Sequence, residues 1–152
     1  MDSNTLQNTF DWIKACQEPS EKLANIQVGV FIEEIGETLN ELVIKNEGEI
    51  DMMHMSIASE YLSTGFKKGL INLNHDEIDR VKLLDGLCDV IVTATTTAYA
   101  FGFDLIGAMN EVNRANYSKF VDGKPIYDEN GKITKGPNYV RPNLEPYTNK
   151  EQ

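Results

Sequence analysis

From Thr5 to Tyr117 the apolar residues return at steps of three and four, and this rhythm ends near residue 120. That period is the one by which an α-helix brings side chains onto a single face, so most of the chain is committed to helices rather than strands.

Leu6, Phe10 and Ile13 outline a first helix from Thr5 to Gln17, stopped by Pro19, because the residue before a proline is steered out of the α region. Ser20 and Glu21 open a second, carrying Ile32, Ile35, Leu39 and Leu42 to about Lys45, with Asn46-Glu47-Gly48 marking its end. A third is expected over Met52 to Lys68. Asn74 is expected to cap a long fourth helix whose first turn holds Asp76, Glu77 and Asp79, with Leu84, Leu87, Ile91, Ala94, Ala98 and Phe101 as its buried stripe. Gly102 stops it, and Asp104 opens a fifth helix running through Ile106, Met109 and Val112 towards Tyr117.

Beyond this point Asp122-Gly123, Asn130-Gly131, Gly136 and Pro137 punctuate the chain. Pro125-Ile126-Tyr127 and Lys132-Ile133-Thr134 are short extended pieces about a turn. The expected fold class is therefore all-α: a bundle of about five helices with a C-terminal arm or small hairpin. One domain spans residues 1–119, and an arm, 120–152, packs on it; at 152 residues the chain has the material for a single core.

Charge narrows the function. The net charge of -10 argues against binding long nucleic acid, which needs clustered Lys and Arg. Residues 1–113 hold 19 acidic and 7 basic side chains, and residues 114–152 hold 5 and 7. Such a division suits a cation on the body and an anion on the tail, but from charge alone an unevenly distributed solubilising surface is the favoured reading. No apolar run approaches the roughly 20 residues that span a bilayer, and the start Met1-Asp2-Ser3-Asn4 lacks a signal's basic and apolar regions. No membrane association and a cytoplasmic location are expected, with Cys16 and Cys88 reduced and Cys88 packed in its helix.

Two acidic pairs stand out. Glu34 and Glu37 project from one face of the second helix, with Glu33 beside them as a possible general base and Glu41 one turn on. Gly36, costly in a helix interior by about 1 kcal/mol, implies close approach of another helix or a ligand. Asp85 and Asp89 line up on the fourth helix beside its apolar stripe. An exposed acidic face is the plain alternative for each pair. If they act together they form an oxygen-only ligand set suited to Mg²⁺ or Mn²⁺, ions that bridge phosphate oxygens. His75-Asp76 and Asp51-x-x-His54 suggest other metal chemistries only superficially: Asp76 suits a helix start, and a di-iron bundle needs further motifs.

Glu34-x-x-Glu37 followed by Asp85-Gly86-Leu87-Cys88-Asp89 resembles the MazG-like and phosphoribosyl-ATP pyrophosphohydrolase-like enzymes. Ala100-Phe101-Gly102, Glu111-Val112-Asn113-Arg114-Ala115-Asn116-Tyr117-Ser118-Lys119 and Gly131-Lys132-Ile133-Thr134-Lys135-Gly136-Pro137-Asn138-Tyr139 follow in the order of one subgroup, and the resemblance covers roughly residues 25–145. It implies an α-helical homodimer or homotetramer that hydrolyses a nucleoside triphosphate, with dGTP, dUTP and dCTP among the candidates, to the monophosphate and pyrophosphate. Glu34, Glu37 and Asp89 match the family's metal ligands, and Glu33 an additional ligand or base. The commoner pattern has glutamate where Gly86 stands, so Asp85 would have to substitute, and the separation of the two motifs admits an extra helix, 52–68.

Asn116, Lys119, Lys132 and Lys135 could meet phosphate oxygens, or remain solvated. Tyr139 would stack on a base or pin the arm; Trp12 and Gln27 would add stacking and base-edge hydrogen bonds, or be core and surface. The alternative function is a catalytically inactive nucleotide-binding or partner-binding module of the same fold.

Overall fold

The computed structural model describes residues 4–40, 52–129 and 133–148. Among them are five α-helices and no strand: α1 (Thr5–Cys16), α2 (Glu21–Asn40), α3 (Met52–Lys67), α4 (Arg80–Ala100) and α5 (Leu105–Tyr117). The chain is all-α. No single helix among the described residues is long and apolar enough to cross a membrane. The expected continuation of α2 to Lys45 with its Asn46-Glu47-Gly48 stop, Glu41, and the Asn130-Gly131 turn lie outside the described residues.

The chain divides into two compact units, Glu18–Ile78, and Met1–Gln17 with Asp79–Gln152. The first is the α2–α3 pair. Its close approach depends on two glycines seven residues apart, hence on one face of α2. A Cβ on Gly29 would lie 2.9 Å from Phe66 Cβ and 3.0 Å from the Ser63 carbonyl oxygen; one on Gly36 would overlap Ser59 Oγ and come within 2.7 Å of Ser59 Cβ. The close approach that Gly36 implies is thus with α3.

In the second unit α1 packs on α5 through a polar seam. Thr5 Oγ1 donates to Asn110 Oδ1 and Thr9 Oγ1 to Asn113 Oδ1, both at 2.9 Å, while Asn113 Nδ2 donates to the Thr5 carbonyl at 3.0 Å. Asp104 caps α5, accepting from Gly107 N at 3.2 Å. Gly102, at φ 73°, ends α4 in the left-handed conformation that suits glycine.

The segment after α5 runs back along it. Gly136 N donates to the Lys119 carbonyl at 3.2 Å, Val140 N to Ser118 Oγ at 3.0 Å, Asn143 N to Glu111 Oε1 at 2.9 Å and Asp104 N to the Tyr147 carbonyl at 2.9 Å. Among the described residues the two extended pieces meet at an antiparallel bridge between Tyr127 and Ile133. Tyr127 ties this loop to α1 by donating to the Cys16 carbonyl at 2.7 Å.

Three expectations are corrected. Asn74 does not open α4: it precedes a single 3-10 turn, His75–Glu77, with no side-chain cap, Ile78 is extended, and Asp79 caps α4 by accepting from Val81 N and Lys82 N. Asn74 and Asp79 are both competent caps, and the later one, next to the uninterrupted apolar run, prevails. Among the described residues the stripe of α4 is exposed rather than buried: Leu84, Leu87, Ile91 and Phe101 are 63, 42, 52 and 60% exposed, and of the stripe Ala98 is covered. Cys88, expected to be packed, is exposed for the same reason, whereas Cys16 is buried; both are free thiols.

Candidate functional site

The α2–α3 pair encloses a polar cleft of about 280 Å³ lined by Glu33, Gly36, Glu37, Ser56, Ser59, Glu60, Ser63 and Thr64. On α2 each residue turns about 100°, so Glu33 and Glu37 stand only about 40° apart and enter the cleft together. Glu34, exposed, is not among the lining residues; its carbonyl accepts from Thr38 Oγ1 at 2.8 Å. Both oxygens of Glu33 accept from Lys67 Nζ, at 2.7 and 2.8 Å, so its charge is matched within the pair.

The opposite wall was not singled out in the sequence. Ser56, Ser59, Glu60, Ser63 and Thr64 recur at the helical period and form one polar face of α3, a detectable signal masked by the apolar residues between them. Ser63 is 1% exposed and its Oγ has no hydrogen-bond partner among the described residues. A buried hydroxyl left unpaired costs about 1–3 kcal/mol.

A second cluster lies in the other unit. The Lys119 ammonium sits 5.3 Å from the Trp12 ring centroid and donates to Asn116 Oδ1 at 2.9 Å. Lys135 lies over Tyr139, 4.8 Å from its centroid. Gly136 permits this, because a Cβ there would meet the Lys119 carbonyl oxygen and Val121 Cγ2 at 2.9 Å. Burial, then the positive charge of Lys135, hold Lys119 below the ordinary lysine range, partly countered by Cys16. Trp12 Nε1 is buried without a partner among the described residues.

Of the expected site residues, Glu33 and Glu37 share one cleft and Trp12, Asn116, Lys119, Lys135 and Tyr139 form one cationic, aromatic cluster. Asp85 and Asp89 are exposed on α4, Gln27 is exposed on α2, and Lys132 lies outside the described residues. Among the described residues, no three His, Cys, Asp or Glu side chains stand close enough to hold a metal by themselves. No family model, curated protein or solved structure matches the chain.

Proposed function

We propose that this chain is a Mg²⁺- or Mn²⁺-dependent nucleoside triphosphate pyrophosphohydrolase of the MazG-like type, acting on a cytoplasmic nucleotide such as dGTP, dUTP or dCTP. The observation that carries the reading is the α2 cleft, in which Glu33 and Glu37 lie in line beside a buried serine hydroxyl that has no partner among the described residues. Hard divalent cations of this size keep several waters and are commonly held by one or two carboxylates together with substrate phosphates. The donor set is all oxygen, and the orphaned hydroxyl offers one more, so the residues fit such an ion.

When bound, the ion supplies charge to the phosphate oxygens and activates water for attack on phosphorus. The chain's own residues divide the remaining work. The resemblance would have Glu34, Glu37 and Asp89, with Asp85, supply negative charge for the cation; within the α2–α3 pair that role falls to Glu37, and Glu33 retains lone pairs beyond its two bonds to Lys67 with which to orient a water. Lys119, Asn116 and Lys135 form an anion clamp. Lys119 is depressed by burial and a like charge, so a phosphate oxygen beside it relieves both. Trp12 and Tyr139 present aromatic faces within the same cluster, where a base can stack.

The reading includes a homodimer or homotetramer, since α4 exposes an apolar stripe that a second copy would cover. One observation favours the inactive-module alternative: Gly86 stands where the resembled pattern has a glutamate, and open space surrounds it.

Pyrophosphate release from a panel of ribo- and deoxyribonucleoside triphosphates with Mg²⁺ or Mn²⁺ separates the two. Turnover of at least one nucleotide is expected, abolished by chelator and reduced at least about a hundredfold in Glu37→Gln and Asp89→Asn with helicity unchanged. Silence across the panel would favour the inactive module. Full activity in Glu37→Gln would remove the α2 cleft from the site.

A further inference from the structure

We infer that Glu60 and Ser63 of α3 join Glu37 of α2 in holding a hydrated divalent cation inside the α2–α3 cleft. The inference rests on the proposed role of Glu37 and extends that site to a helix to which the motifs assigned nothing.

Helix pairs ordinarily join apolar faces, whereas α3 turns Ser56, Ser59, Glu60, Ser63 and Thr64 towards the cleft and leaves Met55, Ile57 and Tyr61 54, 57 and 73% exposed. Such an inversion is favourable only if the polar face has something to bind. Charge points to a cation: Glu33 is matched by Lys67, while Glu37 and Glu60 have no ion pair among the described residues. Ser63 supplies the independent sign of a ligand, as a hydroxyl fully enclosed at the cleft wall and lacking a partner among the described residues. A water or ion at that point would satisfy it.

Size and donor chemistry define the cation. Six waters at about 30 Å³ each occupy about 180 Å³, which a cleft of about 280 Å³ accommodates around a small ion. With no histidine or cysteine among the described lining residues, the donors there suit Mg²⁺ or Mn²⁺ better than zinc. Two carboxylates and a hydroxyl leave about three of the roughly six positions to water, consistent with the absence of a three-residue cage among the described residues. Gly36 contributes by geometry: the Cβ it lacks would push Ser59, one turn from Ser63, off the seam.

The test is titration of the full chain with Mn²⁺ alone, free ion being followed by electron paramagnetic resonance. Glu60→Gln is expected to weaken binding at least about tenfold with unchanged circular dichroism. Ser63→Ala is expected to weaken it several-fold, yet to leave the melting temperature of the metal-free protein unchanged or raised, since it removes an unpaired hydroxyl. Wild-type affinity in both variants, or no Mn²⁺ binding by the wild-type chain, would overturn the inference. If no nucleotide is hydrolysed but Mn²⁺ binding depends on Glu60, the cation site stands and the enzymatic reading falls. If hydrolysis requires Glu37 and Asp89 while Glu60→Gln keeps full Mn²⁺ affinity, the enzymatic reading stands and this one falls.

Discussion

Gly36 and Gly86 both lie inside helices, and their surroundings are opposite. At Gly36 a methyl group would overlap Ser59 and come within 2.7 Å of its Cβ, an atom that cannot rotate away. At Gly86 it would meet nothing within 4 Å. Gly36→Ala is therefore expected to destabilise the protein by about 1–3 kcal/mol through overpacking. Gly86→Ala is expected to stabilise it by about 0.5–1 kcal/mol by restricting the unfolded chain and favouring the helix. Urea unfolding followed by circular dichroism measures both, and a Gly86→Ala protein less stable than wild type would mean that α4 is closely covered there in solution. From sequence the two glycines look alike, because crowding at a Cβ is a property of neighbours distant in the chain.

At the scale of elements, α5 and the segment that returns along it are joined by one charged node. Glu111 accepts from Arg114 at 2.7 and 2.8 Å and from Asn143 N at 2.9 Å, and Arg114 also donates to the Arg141 carbonyl at 3.2 Å. The Arg114 hydrogen bond, then that of Asn143, holds the Glu111 carboxyl at about 2, below its ordinary 4.5. With the folded value below the unfolded one, its stabilising contribution is complete above pH 4.5 and declines as pH falls towards 2. Release of residues 140–143 from α5 is expected in that window, seen as a shift of the Asn143 amide resonance. In Arg114→Ala it should occur at higher pH, and an Asn143 signal that ignores pH down to 2 would refute the node. The Asp104 cap and the Gly102 stop of α5 and α4 are legible in sequence because they are local. The Glu111–Asn143 contact spans 32 positions and has no such signature.

At the scale of the molecule, three helices show exposed apolar faces among the described residues. Leu6 and Phe10 of α1 are 56 and 60% exposed, Met55, Ile57 and Tyr61 of α3 are open to solvent, and α4 is exposed along nearly its entire length. Burying a Leu or Ile side chain contributes about 1.5–3 kcal/mol, so covering Leu84, Leu87 and Ile91 would contribute substantially to association. Sedimentation of the wild-type chain is expected to give a dimer or tetramer, and Ile91→Asp, which places a charge in that stripe, is expected to shift it to monomer. A monomeric wild type would remove the oligomer from the proposed function.

Helix number, most helix starts and stops, and the acidic character of α2 follow from sequence, since period, caps and helix-breaking residues act over a few neighbouring positions. The helical repeat puts Glu34 and Glu37 on one face, and that Glu33 rather than Glu34 enters the cleft with Glu37 is decided by where α3 packs. The side that each helix turns inward is not legible in this way. Thr5 and Thr9 on α1, and Ser59 and Ser63 on α3, occupy the seams while apolar neighbours face outward. Periodicity states which residues share a face and cannot state what meets it. That choice is made by long-range fit: glycines that admit a partner helix, an asparagine that answers two threonines, and a lysine that neutralises Glu33 from 34 positions away.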